Sequence, residues 1–174
     1  MGVPKEPKPV KLFSGLIFKE KEILFSAQEK LAQVFGEIDF ESDISLFDFT
    51  NYYKKEMGNN LKRKFISFAP LIPTVSLPEI KLKTNAIEKA LSDSRTESRT
   101  VNIDPGYLSD EKVVLATTKN FSHRLYLSSG IFGELTYFYM RGSYRTLEWT
   151  YPDFKTPERV KMFNNLRNTY ISKK

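Results

Sequence analysis

The stretch HRLYLSSGIFGELTYFYM, residues 123–140, carries the clearest fold signal in the chain. His123 to Leu127 and Ile131 to Met140 read as two strands around Ser128-Ser129-Gly130. A two-residue loop would set Leu125 against Glu134 and mix apolar with charged residues on one face. A three-residue loop, with Gly130 left-handed, sets Leu127 against Ile131 and Leu125 against Gly133. It also sets Arg124 against Glu134 and His123 against Leu135. Leu125, Leu127, Ile131 and Leu135 then share one face, and Arg124, Tyr126, Glu134 and Thr136 the other. The expectation is an antiparallel hairpin with an Arg124–Glu134 cross-strand ion pair.

Working outward, a third strand from Tyr144 to Trp149 follows the Gly142-Ser143 turn and completes a β-meander. Upstream, Thr100 to Ile103 reads as a strand ending in a type II turn, Asp104-Pro105-Gly106-Tyr107. Residues 109–118 mix helix-cap and strand signals, and the two alternatives stay open. Lys62 to Phe68 reads as a strand, and its three consecutive basic residues suggest a sheet edge. The N-terminal half opens with a proline-rich extended arm, 1–11, and a buried strand, Leu12 to Phe18. A helix follows from Glu22 to Phe35, with Leu24, Ala27, Leu31 and Val34 as its stripe and Gly36 as its stop. Ile38 to Glu41 returns as a strand, making a β-α-β opening.

Three more helices are expected. Thr50 caps a short one closed by Gly58. A capping box, Ser76 to Glu79, starts a second, with Ile80, Lys83, Ile87 and Leu91 on one stripe. Thr156-Pro157 starts the last, which buries Val160, Phe163, Leu166 and Tyr170. The polar run 92–99 is expected to be a mobile loop. The fold class is α+β: one domain over residues 1–174, a mixed or mostly antiparallel sheet with helices packed on it.

Bulk properties exclude whole classes of chemistry. The 174 residues include no cysteine, so disulfides, thiolate nucleophiles, iron–sulfur clusters and cysteine-bound zinc are ruled out. No apolar run approaches a membrane span and no secretory leader is visible, so the expected location is the cytoplasm, without a membrane partner. The net charge of +6 is scattered from Lys5 to the Lys173–Lys174 tail. That pattern reads as a solvated surface and leaves a nucleic-acid partner open.

His123 is the only histidine, which eliminates two-histidine phosphoesterases and HExxH metalloproteases. Asp104, Tyr107, His123 and Arg124 form the candidate ligand site. Asp104 at a strand end would face His123 as a carboxylate–imidazole pair, and Arg124 would hold a phosphate or carboxylate. Trp149, Tyr151 and Asp153 combine stackable rings with a carboxylate, as a nucleotide or peptide groove does. Asp39, Glu41 and Asp43 alternate as cation ligands might, although Ile44 and Thr50 occupy positions where an EF-hand needs glycine and glutamate. No cofactor is implied.

Several blocks are recognisable: GVPKEPKPVKLFSGLIF (2–18), FDFTNYYKKEMG (47–58), LKRKFISF (61–68), VNIDPGYLSDEKVVLATTKNFSHRLYL (101–127) and LEWTYPDFKTPE (147–158). Together they resemble the prokaryotic family called domain of unknown function 4416, over nearly the whole chain. The resemblance implies one domain and a cytoplasmic prokaryotic protein. Some members bear a GTP-binding label, but no segment here matches the GxxxxGK[S/T] loop that wraps phosphates with backbone amides. Two functional readings fit the residues. One is a small-ligand-binding domain, with or without enzymatic activity, for a phosphorylated or carboxylated metabolite or a nucleotide without a P-loop. The other is a non-catalytic RNA- or protein-binding accessory that uses basic and aromatic surface.

Overall fold

The computed structural model describes residues 1–172; the Lys173–Lys174 tail lies outside them. The strands are β1 (Val10–Phe18), β2 (Ile38–Glu41), β3 (Ser45–Leu46), β4 (Lys62–Ile72), β5 (Val101–Leu108), β6 (Lys112–Thr117), β7 (Arg124–Ser128), β8 (Ile131–Met140) and β9 (Ser143–Thr146). The helices are α1 (Lys21–Phe35), α2 (Lys54–Met57), α3 (Leu77–Ala90) and α4 (Pro157–Ser172). The nine strands form one sheet, ordered β2-β4-β1-β5-β6-β8-β7, with β3 beside β4 and β9 beside β8. Every strand pair is antiparallel. The α+β expectation holds. The β-α-β opening is split, because β4 lies between β1 and β2.

Two hydrophobic layers follow from strand alternation. Leu12, Leu16 and Phe18 of β1, with Ile66 and Phe68 of β4, pack under Leu24, Ala27 and Leu31 of α1 and Ile80 and Ile87 of α3. On the opposite face Phe13, Phe65, Val113 and Tyr137 pack under Phe163, Leu166 and Tyr170 of α4. Thr156 caps α4 as expected, accepting from the Arg159 N–H at 3.3 Å. Helix α4 covers only part of its face, and the uncovered part becomes the cavity described below.

Several local expectations give way to tertiary pairing. Asp104-Pro105-Gly106-Tyr107 is not a turn: β5 runs straight through it, paired with β1 from Lys11↔Leu108 to Phe18↔Val101. Pro105 is tolerated because β6 reaches only Gly106–Leu108, so no ladder partner awaits a donor from Pro105 on that side. Lys62–Lys64 does not mark an edge, since β4 lies between β1 and the pair β2 and β3. Ser76 makes no side-chain cap, Lys83 is exposed, and Val34 lies off the buried stripe of α1. Residues 112–117 resolve as strand. The third strand is shorter than expected, and β9 lies end to end with β7 along one side of β8.

The hairpin register is right from Arg124↔Glu134 to Tyr126↔Phe132, and its closure is different. Ser128, not Leu127, faces Ile131. Ser129 (φ 53°) and Gly130 (φ 74°) form a two-residue left-handed turn, whose twist suits the strands. Leu127 is absorbed as a bulge. Burial does not divide by face: Leu125 and Leu127 are exposed while Ile131 is buried, and Arg124, Glu134 and Thr136 are buried while Tyr126 is exposed.

A Cβ at Gly106 would lie 2.6 Å from the Val114 carbonyl oxygen and 2.7 Å from the Phe13 ring. Gly106→Ala is therefore expected to destabilise the protein by about 1–3 kcal/mol in chemical denaturation. A neutral result would contradict the close β5–β6 approach.

Candidate functional site

Period-two alternation places Arg63 and Phe65 on one face of β4, in line with Leu61 just before the strand, and Lys62 and Lys64 on the other. Arg63 is thus driven inward with its apolar neighbours, and only 3% of it is exposed. Its Nη1 donates to Asp104 Oδ2 at 3.2 Å, and its Nε lies 3.4 Å from Asp153 Oδ2 without hydrogen-bond geometry. The guanidinium also lies 4.6 Å from the centre of the Phe65 ring. Gly15 makes room for it: a Cβ there would stand 2.7 Å from Nη2. Asn102 Nδ2 donates to Asp104 Oδ2 at 2.9 Å, so both of these donors hold one carboxylate oxygen.

The sheet opens beside this floor. β6 pairs with β5 only over Gly106–Leu108, which leaves Ile103 without a strand neighbour on that side. Two side chains of α3 take the strand's place. The Ile103 N–H donates to Glu88 Oε1 at 2.6 Å, and Lys81 Nζ donates to the Ile103 carbonyl at 2.9 Å. Both side chains are buried, so the backbone polar groups are satisfied at the expense of two desolvated charges. Burial pushes the Glu88 carboxyl up to about 7, against the opposing attraction of Lys81. Arg99 ties this rear rim together: its Nη2 donates to Glu56 Oε2 at 2.7 Å and its Nη1 to Asn102 Oδ1 at 2.9 Å.

The opposite wall is built by the hairpin. Glu134, 1% exposed, accepts from Arg124 Nε at 2.7 Å and contacts His123 Nε2 at 3.2 Å through the same oxygen, Oε2. Its Oε1 has no hydrogen-bond partner. Arg124 uses its other nitrogens on the Lys119 carbonyl (2.9 Å) and the Tyr151 hydroxyl (2.7 Å). Burial, with Glu134 nearby, pushes the Tyr151 hydroxyl up to about 12. His123 stacks between Phe121 and Trp149, at 6.1 and 5.3 Å between ring centres. Trp149 Nε1 donates to the Leu135 carbonyl at 2.8 Å, which fixes the indole.

These elements enclose one cavity of about 910 Å³. Asp104, His123 and Arg124 all line it, as do Trp149, Tyr151 and Asp153. Tyr107 does not: it lies on the other face of β5 against the Leu77–Val114 cluster. Asp104 and His123 share the cavity without pairing with each other, because Glu134 is the carboxylate on the imidazole. Asp39, Glu41 and Asp43 do not gather. A register shift between Ile38 and Phe40 breaks their alternation, and Asp39 binds Lys11 and Ser67 while Glu41 binds Lys64 and Gln28. Among the described residues no group of three His, Asp or Glu side chains could hold a metal ion.

Sequence reasoning missed Arg63, Lys81, Glu88 and Arg99. Alternation from Leu61 to Phe65 was a usable signal for Arg63. Nothing local marks Lys81 and Glu88, because burying either charge is unfavourable until the gap in the sheet supplies its partner.

Comparison with protein families matches residues 8–170 to the model described as Domain of unknown function (DUF4416). No curated protein and no solved structure matches the chain. No helix among the described residues is long and apolar enough to cross a membrane.

Glu88 binds protons more tightly folded than unfolded, so its contribution to stability is full below pH 4.5 and is lost as pH rises through about 7. Stability of the parent protein should fall by roughly 3 kcal/mol across that window relative to Glu88→Gln, which keeps the acceptor for Ile103. Parallel denaturation curves for both proteins from pH 4 to 8 would refute this. Removing one partner of a buried ion pair strands the other, so Arg124→Ala should lose about 3–5 kcal/mol by the same assay.

Proposed function

The chain belongs to the domain of unknown function 4416 family, and we propose that it is a small-ligand-binding protein whose ligand is an organic anion held in the cavity. The observation that carries this reading is the cavity's charge inventory. Five cations line it (Arg63, Lys81, Arg99, Lys119, Arg124) against four carboxylates (Glu88, Asp104, Glu134, Asp153). The formal balance is 5 − 4 = +1 with His123 neutral, and the raised Glu88 carboxyl shifts it further positive near neutral pH.

The internal partners decide which groups meet a ligand. Arg63 and Arg124 are committed to carboxylates. Lys119 is different: among the described residues it joins no ion pair, and its ammonium sits 3.9 Å from the centre of the Tyr52 ring at the mouth. Asp104 is 28% exposed; its Oδ2 is held by Arg63 and Asn102, whereas Oδ1 has only the longer ion-pair contact with Lys81 Nζ at 4.0 Å, so Oδ1 is the oxygen with room for a ligand donor. Phe49, Tyr52, Phe121 and Trp149 are exposed around the opening and offer ring faces to an apolar or planar portion. The volume lies in the range of metabolite and cofactor sites. A phosphorylated or carboxylated metabolite, or a nucleotide held without a P-loop, fits this combination. Catalysis in this cavity would use Asp104 and His123, a carboxylate and an imidazole that are both partly exposed there.

The test is a thermal-shift screen of sugar phosphates, di- and tricarboxylates and nucleotides, followed by calorimetry on Lys119→Ala and Asp104→Asn. An anionic hit should bind about tenfold more weakly to Lys119→Ala, the equivalent of one charge-assisted contact. No stabilisation by any anion, with salt-sensitive stabilisation by RNA in the parent and both variants, would replace this reading with the RNA-binding accessory.

A further inference from the structure

The two ends of the sheet are built differently. At one end β2 and β3 are four and two residues long, and Asp39, Glu41 and Asp43 lie in or beside them. Short length and charge are ordinary protections against edge pairing. The other end is formed by β7 and β9 laid end to end along β8; β9 carries the exposed Arg145, whereas the only charged side chain of β7, Arg124, is turned inward onto Glu134. What remains outward is Leu125, Tyr126 and Leu127, which are 76%, 63% and 40% exposed. Tyr126 packs on Phe132, 5.4 Å between ring centres, and Leu127 lies over Gly133, so the strand presents ordered apolar groups on both faces. Among the described residues no strand pairs with the outer side of β7.

We propose that β7 is a homodimer edge, pairing antiparallel with β7 of a second copy about a two-fold axis at Tyr126. The reason for choosing a second copy is self-complementarity. A two-fold axis requires one patch to match itself, and Leu-Tyr-Leu reads the same in both directions. In this register Tyr126 faces the partner subunit's Tyr126, and Leu125 faces the partner subunit's Leu127. Tyrosines meet on one face and leucines on the other, with no like charges opposed. Arg124, already neutralised by Glu134, falls opposite the partner subunit's Ser128. The bulge at Leu127 limits regular pairing to these few residues. The interface is smaller than the standard of about 1,600 Å², so the dissociation constant is expected on the order of micromolar.

Because the chain has no cysteine, single thiols report this register cleanly. Residues directly opposed across antiparallel strands have Cβ atoms about 4.5–5.5 Å apart, close to disulfide reach. Under mild oxidation at micromolar protein, Tyr126→Cys should cross-link to itself at least about tenfold faster than Leu125→Cys. Sedimentation should show a concentration-dependent dimer that Tyr126→Lys weakens by about tenfold or more, with the circular dichroism spectrum unchanged. A monomer at every concentration, equal cross-linking of the two thiols, or a dimer indifferent to Tyr126→Lys would each overturn the proposal. None of these readings depends on what the cavity binds.

Discussion

The backbone N–H and carbonyl of Ile103 need hydrogen-bond partners that no strand supplies, and Glu88 and Lys81 provide them from α3. This substitution of side chains for a strand is what allows β5 and β6 to separate while both stay in one sheet. Without it, an N–H and a carbonyl would be buried unpaired, each costing about 1–3 kcal/mol. The gap gives the cavity its rear wall, lined by Lys81 and Glu88 on one side and Thr117 and Thr118 on the other. Pro105 fits the same requirement, because it sits on the unpaired side with no N–H to satisfy.

Charge burial extends from that gap across the uncovered face. Arg63 engages Asp104 and Asp153, and Arg124 engages Glu134, so cationic side chains inside the fold neighbour carboxylates. Such pairs are weak sources of net stability, since desolvation offsets most of the attraction. Several polar atoms stay unmatched, including Arg63 Nε, Asp153 Oδ2 and Glu134 Oε1. Burial also raises the Asp153 carboxyl. An apolar floor under a second helix would be more stable. The concentration of costly polar groups in one concave region is what the proposed ligand would account for.

The sequence made much of this legible, and the failures share a cause. The Arg124–Glu134 pairing followed from matching apolar residues across a hairpin, and the core stripe of α4 from helical spacing. The DPGY segment was misread because a turn pattern is local, whereas its extended form is imposed by eight paired positions on β1. The Lys62–Lys64 run suggested an exposed edge because charge density is averaged over a strand. Alternation instead sends Arg63 alone to the cavity face. His123 was assigned to a strand face although it precedes β7, so its ring turns to Glu134 free of the pleat.

By itself the sequence determined the class of fold, the positions of its main helices, the hairpin pairing at Arg124 and the absence of thiol chemistry. Those depend on period, propensity and composition, which act between residues near in the chain or across one turn. The tertiary structure alone decided that Asp104, His123 and Arg124 share a cavity with Arg63, Lys81 and Glu88, and that Tyr107 does not. Those positions are set by which strands become neighbours and where β5 and β6 part. The physical reason is that a buried charge is tolerable only beside its partner, and the partners of Arg63 lie 41 and 90 residues away in sequence, at Asp104 and Asp153.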